Sequence, residues 1–337
     1  MSESPLSKLA MSSDSADTPE HCSQLLAYLK LFRIPNVFTA VADVAMGFFF
    51  VHGNVEPASG LLCLIATSCF LYTAGMVLND VYDYDIDVKE RPTRPLPSGQ
   101  ISLGRARLLG YGMLLLGVTL GGLAGYVAPA SSEPAWRSGV VALLLASCVI
   151  AYDAILKRTL LGPFAMGACR FFNVLLGMSL GAAGGSTQLL FEPTYFMVAG
   201  GIGCYIVGVT WFARTEAKAA SGRSLLMFGV ILMAIGVMTL AFFPKYSSFP
   251  LDFFRIEPTM VWPLALFLMT VSILRRCLSA ISDPSPQQVQ AAVKQCIFSL
   301  IVLDAAVVLL VAHWALAIAV LALLIPTFVL GRWVYST

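Results

Sequence analysis

This sequence predicts an all-α polytopic membrane protein, and three observations carry the prediction. Of its 337 residues, 58% are hydrophobic and only 12% charged, for a mean hydropathy of +0.81. So few polar side chains could not clothe a water-facing surface around that much apolar mass. The apolar residues fall into runs of about 17–25, the length a helix needs to cross a hydrocarbon core. The basic residues gather in alternate loops, as they do where a chain weaves through a bilayer. A net charge of +2 with no basic stripe gives no nucleic-acid signature.

Residues 1–24 are polar, Ser-rich and acidic with no apolar h-region, so they read as a disordered cytoplasmic tail and not a signal peptide. Residues 25–337 read as a single transmembrane domain. Within it, apolar segments lie near 36–52, 60–80, 107–128, 138–155, 161–183, 195–213, 224–243, 258–280 and 292–311, and these are nine expected spans. A tenth, 314–333, follows the ninth after only Ala312 and His313. It is either the second arm of a tight hairpin or the far half of one broken helix. Glycine and proline recur inside the spans, as membrane helices tolerate.

With the N-terminus inside, one face collects Lys8, Lys30, Arg33, Lys89, Arg91, Arg94, Arg105, Arg107, Lys157, Arg158, Arg214, Lys218, Arg223, Arg275, Arg276 and Lys294, and the other collects Arg137, Lys245 and Arg255. Sixteen against three is a strong positive-inside bias that makes the first face cytoplasmic. A tenth span would return the C-terminus to it, and would put His313 at the outer interface. The eight cysteines, scattered through apolar segments without paired spacing, read as small buried hydrophobes.

Between spans two and three runs Asn79-Asp80-Val-Tyr-Asp83-Tyr-Asp-Ile-Asp87-Val-Lys-Glu-Arg91-Pro-Thr-Arg94-Pro-Leu-Pro-Ser-Gly99. Asn79, Asp83 and Asp87 are four apart, so on a continuing helix they share one face. Oxygen ligands stacked this way, with Asp80 beside them, suit Mg²⁺, which takes a few carboxylates and completes its shell with water and substrate phosphates. Arg91 and Arg94 then offer fixed forks to phosphate oxygens. A solvated acidic loop at a helix end is the bland alternative, and the position of the run at a membrane boundary weighs against it.

Two further loops on the same face carry cations. After span four come Tyr152, Asp153, Lys157 and Arg158; the basic pair either contacts a diphosphate or anchors the helix end, and Tyr152 and Asp153 are near enough to shape the same pocket. At the end of span six, Arg214 and Lys218 are one turn apart and share a face. Inside the spans, Asp43, Arg170 and Asp304 are costly enough that each must face the bundle interior or water. An ion pair joining Arg170 to Asp43 or Asp304 and a substrate role weigh equally.

With these residues in hand, the chain resembles the UbiA superfamily of intramembrane prenyltransferases. The region Asn79–Gly99 is similar to that family's first Asp-rich motif, NDxxDxxxD followed by RPxRPLPSG, with the Asp87-to-Arg94 spacing of the chlorophyll-synthase and archaeal-lipid branches. Arg33-Ile-Pro35-Asn36, Lys157-Arg158 and Gly222 add to the likeness. The resemblance implies nine transmembrane helices around a central cavity, with Mg²⁺ ions bridging two Asp-rich motifs and a prenyl diphosphate. The second motif, DxxxD, departs here: Arg214 and Lys218 stand where aspartates are expected, so this half can bind anions but not metal. This departure and the tenth segment suggest a divergent UbiA-like branch, similar to the proteins called EboC.

The expected function is transfer of an isoprenoid chain from a polyprenyl diphosphate to a lipophilic acceptor. Asn79, Asp80, Asp83 and Asp87 are the expected Mg²⁺ ligands, and Arg91, Arg94, Lys157, Arg158, Arg214 and Lys218 the expected diphosphate partners. Arg33, Asn36 and Tyr152 are expected near the acceptor, with Asp153 as a base. The alternative is a non-catalytic isoprenoid or lipid binder or transport component that keeps only the first motif. A helical scaffold ranks last, because it leaves the acidic motif unexplained.

Overall fold

The computed structural model describes residues 20–128, 134–181, 191–214, 223–283 and 285–333. Their regular structure is all helical, without a strand among the described residues. After α1 (Glu20–Leu31) come α2 (Ile34–His52) and α3 (Ala58–Tyr82), then the short α4 (Tyr84–Glu90). Next are α5 (Leu103–Val127), α6 (Arg137–Ala154), a 3₁₀ turn at Leu156–Arg158 and α7 (Gly162–Met178). The chain continues through α8 (Pro193–Arg214), α9 (Arg223–Tyr246), α10 (Val261–Ser282), α11 (Pro286–Val311), α12 (Trp314–Leu321) and α13 (Leu324–Trp333).

Nine stretches among the described residues are long and apolar enough to cross a membrane. Helix α7, with 17 residues, is absent from that set through its length, yet it runs between the two ends of the bundle. Its start follows the turn bearing Lys157 and Arg158, and beyond its far end Arg137 of α6 donates to the carbonyls of Ser179 and Gly181. The tenth segment is a hairpin arm, since Phe328 of α13 lies 4.5 Å from Phe298 of α11 between ring centroids. It is itself broken at Ala322–Leu323. His313 starts it as an exposed N-cap, Nδ1 accepting from the Ala315 N–H. The outward faces of α5 and α10 carry exposed Leu108, Leu115, Leu264 and Phe267, which only lipid covers without cost. The protein is therefore an integral, multi-pass membrane protein.

Helix α1 includes residues 20–24, which composition had assigned to the tail, because Ala27 and Leu31 dock it on a small apolar cluster with Val77, Val81, Leu96, Ile101 and Ala106. That cluster is the platform beneath the charged motif. At the other end, Glu257 accepts from the Thr259 hydroxyl and from the N–H groups of Thr259, Met260 and Val261, which hold its carboxyl down at about 2 and cap α10.

Without a hydrophobic force between helices in lipid, close backbone approach must hold the bundle. Helices α2 and α7 cross at Gly47 and Gly177, where a Cβ on Gly177 would enter the carbonyl of Val44 and one on Gly47 the carbonyl of Val174. Gly177→Ala is expected to lower stability by about 1–3 kcal/mol through overpacking, read as an earlier thermal transition in detergent. An unchanged transition would mean the crossing is not tight.

The resemblance implied a cavity ringed by all the helices. The observed one, roughly 520 Å³ including its mouth, is lined by α2, α3, α6 and α7. On the α8–α11 side, Tyr205 of α8 is fully buried and donates to the carbonyl of Cys296 on α11, and Gly167 of α7 packs against Gly203 of α8. Cys277 and Cys296 lie buried with their sulfurs 3.6 Å apart, and the described cysteines are all free.

Candidate active site

The helix that carries Asn79 does not run straight through Asp87. It breaks at Asp83 (φ −92°, ψ 1°), which ends α3 and starts α4. The hydrogen-bond ladder nevertheless continues, from the Asp83 N–H to the Asn79 carbonyl at 3.0 Å, from Asp87 to Asp83 at 2.8 Å and from Arg91 to Asp87 at 2.8 Å. The four-residue spacing thus survives the bend. The following loop is pinned by bonds from Ser98 to Arg94, Gly99 to Leu96 and Ile101 to Pro95. Gly99 takes the left-handed φ of 76° that its turn requires, and Ser102 then caps α5.

This loop folds Arg94 back onto the acidic run, where it meets Asp87 at 2.7 Å and Asp80 at 3.5 Å. Asp80 also binds Arg33 at 2.8 Å. Arg33 holds a left-handed φ of 47° between α1 and α2, an uncommon conformation for a residue with a Cβ. Asp83 has both oxygens occupied, by Lys157 at 2.8 Å and Arg158 at 3.1 Å. Asn79 turns the other way and donates to the Asp153 carboxylate at 2.9 Å. Four elements therefore meet in one alternating array of charges: α3–α4 supply the carboxylates, while the α1–α2 joint, the Pro-rich loop and the 3₁₀ turn supply the cations.

Arg214 reaches into this array from the end of α8, donating to the Lys157 carbonyl at 2.9 Å. Lys218 and Gly222 lie outside the described residues. Arg91 is exposed at the end of α4. Asn36 is half-buried one turn after Arg33, its N–H bonded to the Arg33 carbonyl.

Tyr152 and Asp153 form part of the cavity wall directly below this array. Deeper come Leu71, Met76, Leu145, Val149 and Met166, and then a polar floor of Ser68, Tyr72, Arg170 and Asn173. Arg170 donates to Asp43 at 2.8 Å and to the Thr39 hydroxyl at 2.8 Å, with its guanidinium 5.4 Å from the centroid of Tyr72. Asn173 joins them, donating to Asp43 and accepting from Ser68. The ion pair weighed from the sequence is formed, and its cation also faces the cavity. Ser68, Tyr72 and Asn173 of this floor were missed by motif reading. The signal for Ser68 and Tyr72 was the stripe they form with Gly75, Met76 and Asn79 at helical spacing on α3, and that for Asn173 was its place one turn from Arg170 on α7.

The donor set fits a hard divalent cation of the Mg²⁺ type. No three acidic, His or Cys side chains converge among the described residues. Mg²⁺ needs only one or two carboxylates plus phosphate and water, and Asp83 and Asp87 stand on successive turns of one ladder.

The profile of the UbiA prenyltransferase family matches residues 40–290. The digeranylgeranylglyceryl phosphate synthase of Saccharolobus solfataricus is 33% identical over 135 residues, 40% of this chain and 44% of that protein. Its counterpart in Metallosphaera sedula is 35% identical over 133 residues, 39% of this chain and 43% of that protein. The chain thus spans less than half the length of these curated relatives. Among solved structures, a UbiA homologue from Archaeoglobus fulgidus bound to GPP and Mg²⁺ superposes with a TM-score of 0.59 at 18% identity, over 88% of this chain and 99% of that one. The same homologue bound to DMAPP and Mg²⁺ gives a TM-score of 0.57 at 19% identity, over the same shares. At such identities the structural likeness is one of fold. The family profile covers well over half of the sequence and includes the whole acidic run, and by that measure this chain belongs to the UbiA prenyltransferase family.

Proposed function

We propose that this chain is an intramembrane prenyltransferase that moves an isoprenoid chain from a polyprenyl diphosphate to a lipophilic acceptor, with its site on the cytoplasmic face. The observation that supports it most is the Asp83–Lys157–Arg158 cluster at the mouth of the cavity. The GPP- and DMAPP-bound relatives carry Mg²⁺, and Asp83 and Asp87, with Asn79 and Asp80 behind them, are the residues that would hold it here. Bound there, Mg²⁺ would offset negative charge on the departing diphosphate.

The chain's own residues do the remaining work. Lys157, Arg158 and Arg94 are held beside the carboxylates by ion pairs; a diphosphate entering the mouth gives these cations a second partner, and they neutralise the leaving group. Arg214 adds positive charge where the family pattern carries aspartates, so this half grips anion directly. Below the mouth, Leu71, Met76, Leu145 and Val149 keep water from the allylic carbon. Asp153 faces the same space and is placed to take a proton from an acceptor. Arg33, Asn36 and Tyr152 lie around the mouth as candidate acceptor contacts. The sixteen-to-three excess of basic residues on this end supports the cytoplasmic orientation.

A second reading, a binder that holds isoprenoid diphosphate without turnover, is favoured by Arg214 alone, since a site that only binds anions needs no second metal. Purified protein in lipid, given radiolabelled geranylgeranyl or farnesyl diphosphate, Mg²⁺ and a membrane extract, is expected to form labelled lipid and release diphosphate. Saturable binding with no labelled product would decide for the binder.

A further inference from the structure

Helices α2, α7 and α11 meet at the middle of the bundle around three ionisable side chains, Asp43, Arg170 and Asp304. Asp43 and Asp304 are fully buried. One oxygen of Asp43 is taken by Arg170 and Asn173. Its other oxygen and both oxygens of Asp304 have no hydrogen-bond partner among the described residues, although the two carboxyl groups face one another across the α2–α11 contact. The other charged or titratable groups facing the pair are Arg170 from α7 and Tyr72 from α3.

Counting charge identifies what is missing. Two carboxylates and one guanidinium sum to minus one, in a buried interior at the depth of a bilayer core. An uncompensated charge there is among the costliest things a fold can contain. Two acceptors facing each other also repel and leave their lone pairs unmet. A single positive charge between them cures both faults. A metal cation is a poor fit, because hard cations call for about six oxygen ligands and this site offers three unpartnered ones beside a guanidinium. A proton needs only two oxygens.

We propose that Asp43 and Asp304 form a binding site for one proton, shared between their carboxyl groups, which makes the triad with Arg170 neutral and ties α11 to the α2–α7 pair. The proton comes from solvent, and the O–H of one carboxyl donates to the other carboxylate. Arg170 faces the cavity as well, so the proton site and the cavity share one guanidinium. The inference does not depend on prenyl transfer.

The test uses the full chain in lipid. Infrared difference spectra against Asp304→Asn are expected to show the carbonyl stretch of one protonated carboxyl in the wild type at neutral pH. Asp43→Asn is expected to lose the same band, because the remaining carboxylate then balances Arg170 without a proton. Both single variants are expected to stay folded, whereas Asp43→Asn with Asp304→Asn leaves Arg170 alone and lowers the thermal transition sharply. The wild-type transition is expected to fall from about pH 6 to about pH 9, since the folded state holds a proton that an exposed carboxyl gives up, and Asp304→Asn is expected to remove that slope. Absence of the carboxyl band, a pH-independent wild type, or stabilisation by Na⁺ at fixed pH would each overturn the proposal. Loss of prenyl transfer in Asp304→Asn with the spectral pattern intact would leave it standing.

Discussion

Asp83→Ala is expected to reduce prenyl transfer by about 10²–10³-fold or more, the range seen when one preorganised electrostatic contact to a developing charge is removed. The variant should remain folded. Asp83 lies at the partly exposed mouth; when it is gone the exposed Arg158 can turn to water, and Lys157 keeps the Asn79 carbonyl as a partner. Asp87→Ala is expected to lose as much activity but to destabilise more, because its carboxylate is buried against Arg94; breaking such a contact costs about 1–3 kcal/mol. The comparison is made on purified protein, with labelled-lipid formation measured beside the thermal transition of each variant. Transfer by Asp83→Ala within a few-fold of wild type would remove this carboxylate from the chemistry and the proposed site with it.

Arg170→Leu is the second large effect expected. Removing the guanidinium leaves Asp43, which is fully buried, with Asn173 and the proton it shares with Asp304 but without its countercharge. Cutting one partner out of a buried pair costs about 3–5 kcal/mol, enough to consume much of the stability of an ordinary domain. Low yield of monodisperse protein and a sharply lowered transition are the expected readings. Arg170→Lys separates charge from shape: an ammonium restores neutrality but lacks the planar fork that reaches Asp43 and Thr39 together. It is expected to fall between the two. If Arg170→Leu were as stable as wild type, the triad would contribute nothing to holding α2 against α7.

The acidic run was readable because its chemistry is local. Asn79, Asp83 and Asp87 are one ladder step apart, and the break at Asp83 bends the run without changing that spacing. What was not readable is which cation each carboxylate meets. Arg33 pairs with Asp80 across 47 residues, and Arg158 with Asp83 across 75, and no periodicity encodes such distances. Asn79 illustrates the limit. Its spacing suggested that it belongs with Asp83 and Asp87, yet its amide bonds Asp153, because the packing of α3 on α6 turns it there.

By itself the sequence determined that this chain crosses a membrane repeatedly, and where. Apolar length is a property of each segment alone, and a bilayer reads it one helix at a time. It also determined the family, through a motif whose spacing matches the turn of a helix. The tertiary structure alone decided that the cavity lies among α2, α3, α6 and α7, that Arg170 is part of its floor, and that Asp304 faces Asp43. Those outcomes depend on the rotation of each helix about its own axis, and packing against neighbours sets that rotation.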